Sequence, residues 1–359
     1  VIATARTQVA LAALALASCS RAERPASEPG PAVALPGASS EPASCAGCHP
    51  AQHAEWSTSR HAAAWVDPIF QAEFARGRPA WCVGCHAPIA PDPLAVDDAD
   101  PRASQGVGCA GCHLRDGRMV SLRAAPGSPH ATVIDPAFGT TALCARCHEF
   151  SFPILGAHGQ LERYTGEPMQ ATVSQFLQSG LAGDMACADC HAATGAGHAF
   201  PGSHDPAMVA SALEISLCHA LSETGGELVG ELVIGLANRG AGHNVPTGGV
   251  HRHMVLRAWR STSPERLWEA YLGRRFRPLA GGGKETVLDT TLAPDERRRF
   301  RVPRDRPGPD EEPVNVELRY VYALDEHAPL DGAVISRVIW HRRTTIARTP
   351  RCDGTGPSF

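Results

Sequence analysis

Five copies of C-x-x-C-H between Cys45 and His191, a surrounding stretch rich in Gly and Pro, and short alternating apolar segments from about Gly226 onward predict an α+β chain. Its N-terminal part is expected to be short helices and loops wrapped round stacked prosthetic groups, followed by an immunoglobulin-like β-sandwich. At 359 residues the chain is long enough for two domains. Hydrophobic residues make up 43% and charged residues 19%, a globular balance that excludes a disordered chain. The formal charge of −4 excludes a strongly basic nucleic-acid binder. No apolar run reaches the roughly 18 residues that a mature membrane-spanning helix requires.

The repeated motif carries the chemistry. Its copies are Cys45-Ala46-Gly47-Cys48-His49, Cys82-Val83-Gly84-Cys85-His86, Cys109-Ala110-Gly111-Cys112-His113, Cys144-Ala145-Arg146-Cys147-His148 and Cys187-Ala188-Asp189-Cys190-His191. Two thiols three positions apart can add across both vinyl groups of one haem, and the histidine that follows is then placed to bind the iron. Zinc sites and redox dithiols also use C-x-x-C, but neither requires a histidine at the fifth position every time. Five of five indicate five covalently attached haem c groups. The thioethers come from Cys45, Cys48, Cys82, Cys85, Cys109, Cys112, Cys144, Cys147, Cys187 and Cys190, and the proximal iron ligands are His49, His86, His113, His148 and His191.

Ahead of the motifs, residues 1–19 read as a secretory signal, with Arg6 followed by the apolar run Val9-Ala10-Leu11-Ala12-Ala13-Leu14-Ala15-Leu16-Ala17. Leu16-Ala17-Ser18-Cys19 resembles a bacterial lipobox, which implies a lipid anchor on Cys19; the alternative is a plain signal with an incidental cysteine. By the same resemblance, Ser20 after the cysteine favours the outer membrane. Residues 20–44, rich in Pro, Ala, Ser, Glu and Gly, read as a disordered tether. Haem attachment to C-x-x-C-H takes place outside the cytoplasm, so motif and signal agree on export. The expected location is the periplasm or surface of a bacterium, on a membrane-anchored lipoprotein.

Residues 45–222 are expected to form a pentahaem domain in which the apolar faces of the haems replace an ordinary core. Helices are expected over residues 51–66, 68–75, 169–180 and 206–221. The texture then changes, and residues 223–350 read as the β-domain. Strands are expected over residues 228–236, 250–260, 285–289, 297–302, 314–324 and 334–346. The run Arg297-Arg298-Arg299-Arg301 reads as a solvated strand face rather than a dock for an acidic partner. Cys218 and Cys352 belong to no motif, and pairing with each other or burial as thiols are both open.

The chain has 17 histidines, more than enough to put a second imidazole on every iron. Two imidazoles fill both axial positions, leave no room for substrate and lower the potential relative to a methionine ligand. Cys45-Ala46-Gly47-Cys48-His49-Pro50 followed by Trp56-Ser57-Thr58-Ser59-Arg60-His61-Ala62 resembles the C-x-x-C-H-P…W-x-x-S-x-H-A opening of cytochrome c-554-like multihaem c-type cytochromes, relatives of the tetrahaem carrier that serves hydroxylamine oxidoreductase. Cys85-His86-Ala87-Pro88, Gly106-Val107-Gly108-Cys109, Ser128-Pro129-His130 and Leu143-Cys144 through Glu149 continue the likeness. His198-Ala199-Phe200-Pro201-Gly202-Ser203-His204-Asp205 and Asn238-Arg239-Gly240-Ala241-Gly242-His243-Asn244-Val245-Pro246-Thr247-Gly248 resemble segments of larger members that carry a C-terminal β-domain. The resemblance implies His61 and His130 as distal ligands. His198 and His204 flank a turn and are further distal candidates. His243, on a Gly- and Pro-bounded turn after a strand, can be presented rigidly to a haem and tie the two domains together. His158 is a reserve. Many members of that family carry T-x-x-E-W before the last motif, where this chain has Val173-Ser174-Gln175-Phe176.

Two functions are compatible with these residues. The first is an electron carrier without bond chemistry, passing electrons between closely spaced, mostly bis-histidine haems to redox protein partners. An oligomer or a haem-stacked assembly is compatible with it, and nucleic acid is not an expected partner. The second is a reductase or oxidoreductase acting on a small nitrogen or sulfur oxyanion at one five-coordinate haem. The chain has no C-x-x-C-K motif of the kind used by pentahaem nitrite reductase, which favours the first. Tyr164 is the one tyrosine of the haem region, and a tyrosine-crosslinked haem like that of hydroxylamine oxidoreductase would have to use it. A structural adhesin with metal clips leaves the fifth-position histidines unexplained.

Overall fold

The computed structural model describes residues 41–352 apart from residues 91, 97–99, 124–126, 128–129, 131, 196, 305–308, 324–329 and 332. The signal, Cys19 and most of the expected tether therefore lie outside the described residues. The haem part is built of short helices: α1 (Pro42–Ala46), α2 (Pro50–Ser57), α3 (Pro68–Phe74), α4 (Ala80–His86) and α5 (Cys109–His113). A small sheet of β1 (Leu114–Arg115), β2 (Arg118–Ser121) and β3 (Thr132–Ile134) follows. Then come α6 (Thr141–His148), the hairpin β4 (Glu149–Leu155) and β5 (Leu161–Ala171), α7 (Thr172–Leu177), α8 (Cys187–His191) and α9 (Pro206–Ala212).

Proline opens α1, α2, α3 and α9, where its missing N–H costs nothing. Asp67 caps α3 by accepting from the Ile69 and Phe70 amides, and Asp205 caps α9 by accepting from Met208 N at 2.9 Å. α1 takes in residues 42–44, which the sequence reading assigned to the tether. The helix expected over 51–66 stops at Ser57, because Thr58 Oγ1 bonds back to Glu55 O and the following turn pairs with the chain before the third motif. The helix expected over 169–180 shrinks to α7, since residues up to Ala171 are held in the hairpin.

The β-domain comprises β6 (Leu213–Thr224), β7 (Glu227–Asn238), β8 (His253–Arg260), β9 (Ser263–Pro278), β10 (Lys284–Asp289), β11 (Arg297–Val302), β12 (Val314–Val321) and β13 (Ser336–Thr344). The helix expected over 206–221 ends at Ala212. The rest of that segment is β6, whose Leu213, Ile215 and Leu217 alternate, and which pairs with β7 over its whole length. Gly225 and Gly226, both at positive φ (64° and 84°), make the tight turn between them. β9, the longest strand at 16 residues, was not anticipated. One sheet runs β11-β7-β6 and the other β10-β9-β8-β12-β13, all antiparallel. In chain order this is the immunoglobulin-like A-B-E sheet facing C″-C′-C-F-G. Leu232, Ile234 and Leu236 of β7 meet Met254, Leu256, Leu272, Val316 and Leu318 from the other sheet in one buried core.

Cys218 and Cys352 form a disulfide, which resolves their alternatives and ties the end of the described chain to β6. The hairpin joins the two parts: Phe152 meets Phe276 edge-on at 5.1 Å, Glu167 accepts from Thr286 N, and Arg274 donates to Met169 O. Among the described residues no helix is long and apolar enough to cross a membrane.

Candidate haem-binding site

A C-x-x-C spacing puts two thiols on one face of a helical turn, and α4, α5, α6 and α8 each end on the motif histidine, while the first motif spans the junction of α1 and α2. The ten motif cysteines are free thiols, available to form thioethers. The motifs are packed on one another: hydrogen bonds join Cys45 to Cys109, Cys85 to Cys147, and Cys144 to Cys187. The fourth motif thus touches the second and the fifth.

Three motif histidines present Nδ1 to a backbone carbonyl: His86 to Ala64 O at 2.7 Å, His113 to Val120 O at 3.0 Å and His191 to Pro201 O at 2.7 Å. A carbonyl only accepts, so the proton sits on Nδ1 and the Nε2 lone pair is left for a metal. Burial holds His61, His86, His113 and His243 below ordinary histidine basicity, and burial with neighbouring cationic groups brings His148 down to about 4. A neutral imidazole is what a metal ligand must be.

Four motif histidines face a second imidazole. The ring centroids stand 6.5 Å apart for His49 and His130, 6.3 Å for His148 and His61, 6.2 Å for His113 and His198, and 6.2 Å for His191 and His243. A metal–imidazole bond is about 2 Å and a ring nitrogen lies roughly 1 Å from its centroid, so imidazoles on opposite sides of one iron have centroids about 6 Å apart. His86 differs. Its ring is stacked on Phe70 at 3.7 Å, and among the described residues no histidine faces it. His204, expected with the distal candidates, instead stacks on Tyr322 at 3.9 Å and faces no motif histidine. Tyr164 accepts a hydrogen bond from Trp81 Nε1, next to the second motif.

His61, His198 and His243 are held by residues of their own segment or of a remote one. Ser59 Oγ accepts from Ala62 N, Trp56 Nε1 donates to Val107 O, and Val107 N donates to His61 O, which together fix the turn bearing His61. Gly106, at φ 59°, is required there, because a Cβ would stand 2.5 Å from His61 O. Glu55 accepts from His198 N at 2.9 Å. Asn238, fully buried, donates to His243 O and Leu292 O and accepts from Ala241 N.

Gln175 Oε1 accepts from Thr247 Oγ1 at 2.8 Å and from Asn244 N, so this side chain ties α7 to the segment bearing His243. Phe176 packs on Gly242, where a Cβ would stand 2.9 Å from its ring. Glu149 accepts from Val173 N and Ser174 N, which anchors α7. Glu55, Glu149 and Gln175 were missed as positioning residues; a polar residue bonding to a backbone amide has no local pattern to betray it.

Among the buried polar groups of the haem part that lack partners among the described residues are two N–H donors: Trp65 Nε1, in a side chain 1% exposed against the second motif, and Arg115 Nη2, beside Cys112 and Cys147. The carboxylates of haem supply acceptors of that kind. With the paired rings and free thiols, the residues present fit haem c.

Residues 44–114 match the family model of cytochrome c554 and c-prime. The fold is similar to that of a penta-haem cytochrome c552 from Thermochromatium tepidum, with a TM-score of 0.62 and 20% identity over 84% of this chain and 97% of that one. No curated protein sequence matches the chain. The matched segment carries the first three motifs and is similar to cytochrome c554 and c-prime, and the chain shares the fold of the penta-haem cytochrome.

Proposed function

We propose that this chain is an exported pentahaem cytochrome that transfers electrons through closely packed haems, four of them held by two imidazoles and one by His86 alone. The observation that carries this reading is the set of four imidazole pairs at the spacing a shared iron requires. When bound, haem c supplies a one-electron Fe(III)/Fe(II) couple. The protein's own residues orient both imidazoles in advance, so a change of charge requires little movement of the chain. The thiol contacts between motifs keep neighbouring sites close. His243 draws its imidazole from the β-domain, which makes that domain part of the ligand framework rather than an appendage. In this reading Cys19 carries the lipid, the protein works in the periplasm or at the cell surface, and its partners are redox proteins.

A second reading is favoured by one observation, the lone His86: an oxyanion of nitrogen or sulfur is reduced or oxidised at that site. Low-temperature electron paramagnetic resonance of the oxidised holoprotein, with an intact mass counting covalent haems, tests both. Five haems by mass with four low-spin irons are expected, and an inert high-spin iron favours the carrier. A high-spin signal that shifts with nitrite or sulfite favours the enzyme. Fewer than four low-spin irons would sink the proposed ligand pairs.

A further inference from the structure

Arg252 precedes β8 at the seam between the two parts of the molecule. Val321 pairs with His253 at the end of the β8–β12 ladder, so Arg252 and Tyr322 are the next residues beyond that pair. Tyr322 stacks on His204 at 3.9 Å and on Tyr320 at 5.1 Å, and its hydroxyl donates to Ser203 O. On the other side, His251 Nε2 lies 3.7 Å from Glu73 of α3, the helix whose Phe70 stacks on His86. Arg252 is thus placed between α3 and the Tyr322–His204 stack. Its guanidinium lies over Gly248, where a Cβ would stand 3.2 Å from Nη1.

The charges around it do not balance. Asp67 is engaged by Arg60, and Glu73 by Arg76 and His251. Among the described residues the half-buried Arg252 guanidinium has neither a carboxylate nor a hydrogen-bond partner. Around it stand instead the Tyr322–His204 stack and Arg337, whose Nη1 donates to His204 O. A half-buried guanidinium facing imidazoles and another guanidinium calls for an anion.

We propose that Arg252 is the cationic wall of an anion site beside the iron position of His86, taking one carboxylate or small oxyanion. The planar fork of Arg suits the two oxygens of such a group. The proposal rests on reading Cys82 to His86 as a haem site with one imidazole. Two sources share the required chemistry: a propionate of that haem, or a free oxyanion.

The test uses Arg252→Leu and Arg252→Lys in the holoprotein, with nitrite and sulfite as probes read on the high-spin iron. The midpoint potential of that iron is measured separately without added anion. A free-oxyanion site predicts saturable binding in the parent, weakened at least tenfold by Leu and less by Lys. A propionate site predicts no anion response in the parent but a lower potential in the Leu variant, because losing a cation favours Fe(III); Lys restores it. Equal anion response and equal potential in parent and Leu variant overturn the proposal. If the parent holds no high-spin iron, the single-imidazole reading fails. The anion site is then decided by whether one haem potential falls in the Leu variant or all stay unchanged.

Discussion

Replacing His61 by Ala removes one imidazole whose ring plane crosses that of His148 at 60°, whereas His113–His198 and His191–His243 meet at 16° and 11°, and His49–His130 at 35°. Near-parallel imidazoles split the iron dπ orbitals and give a rhombic low-spin signal. Crossed imidazoles leave those orbitals nearly degenerate and give a highly anisotropic one with a large maximum g. The four pairs and the lone His86 predict four low-spin irons and one high-spin iron in the oxidised parent. His61→Ala should shift this to three and two, and the signal lost should be the strongly anisotropic one. The haem stays attached through Cys144 and Cys147, so the mass should fall only by the imidazole. Spin quantification by low-temperature electron paramagnetic resonance reads all of this. Loss of a rhombic signal with the anisotropic one intact would refute the assignment of His61 to His148, and an unchanged spectrum would remove His61 from the ligand set.

Replacing Cys82 and Cys85 together by Ala should remove one haem by intact mass and abolish the high-spin signal, leaving every low-spin signal; survival of the high-spin signal would place the single-imidazole iron elsewhere. Asn238→Ala leaves His243 O, Leu292 O and Ala241 N without their buried partner, at a cost of roughly 3 kcal/mol. Its melting temperature should fall, and a parental melting curve would show that the loop bearing His243 is held by other contacts. Burial, then Arg60, Arg252 and Arg337, hold His204 down to about 3, against an ordinary value of about 6.5. Its folded pKa is depressed, so its stability contribution is present above about pH 6.5 and is lost as pH falls toward 3. His204→Phe, which keeps the stack on Tyr322, should lose less stability than the parent between pH 7 and about 4 in thermal melts; parallel losses would contradict the neutral His204.

The likeness of segments served best where a segment does a local job. The W-x-x-S-x-H-A stretch places His61 through Ser59, and the segment from Asn238 to Gly248 places His243 through Asn238, each by hydrogen bonds reaching only a few residues. Elsewhere local and tertiary preferences compete. Pro206 rightly opens a helix, but the alternation of Leu213, Ile215 and Leu217 and the long pairing with β7 turn the same segment into a strand. His204 and His198 sit in one stretch with equal local claims to an iron. Only the arrival of Tyr322 beside one and of His113 beside the other separates them.

By itself the sequence determined the haem chemistry and the α+β division of the chain. Both are written at short range: two thiols and a histidine within one helical turn, and apolar residues at period two. The tertiary structure alone decided which imidazole faces which motif, that Cys218 pairs with Cys352 across 134 residues, and that among the described residues no histidine faces His86 and no carboxylate meets Arg252. These depend on how distant segments pack, and a pairing between residues far apart in the chain leaves no periodicity along it.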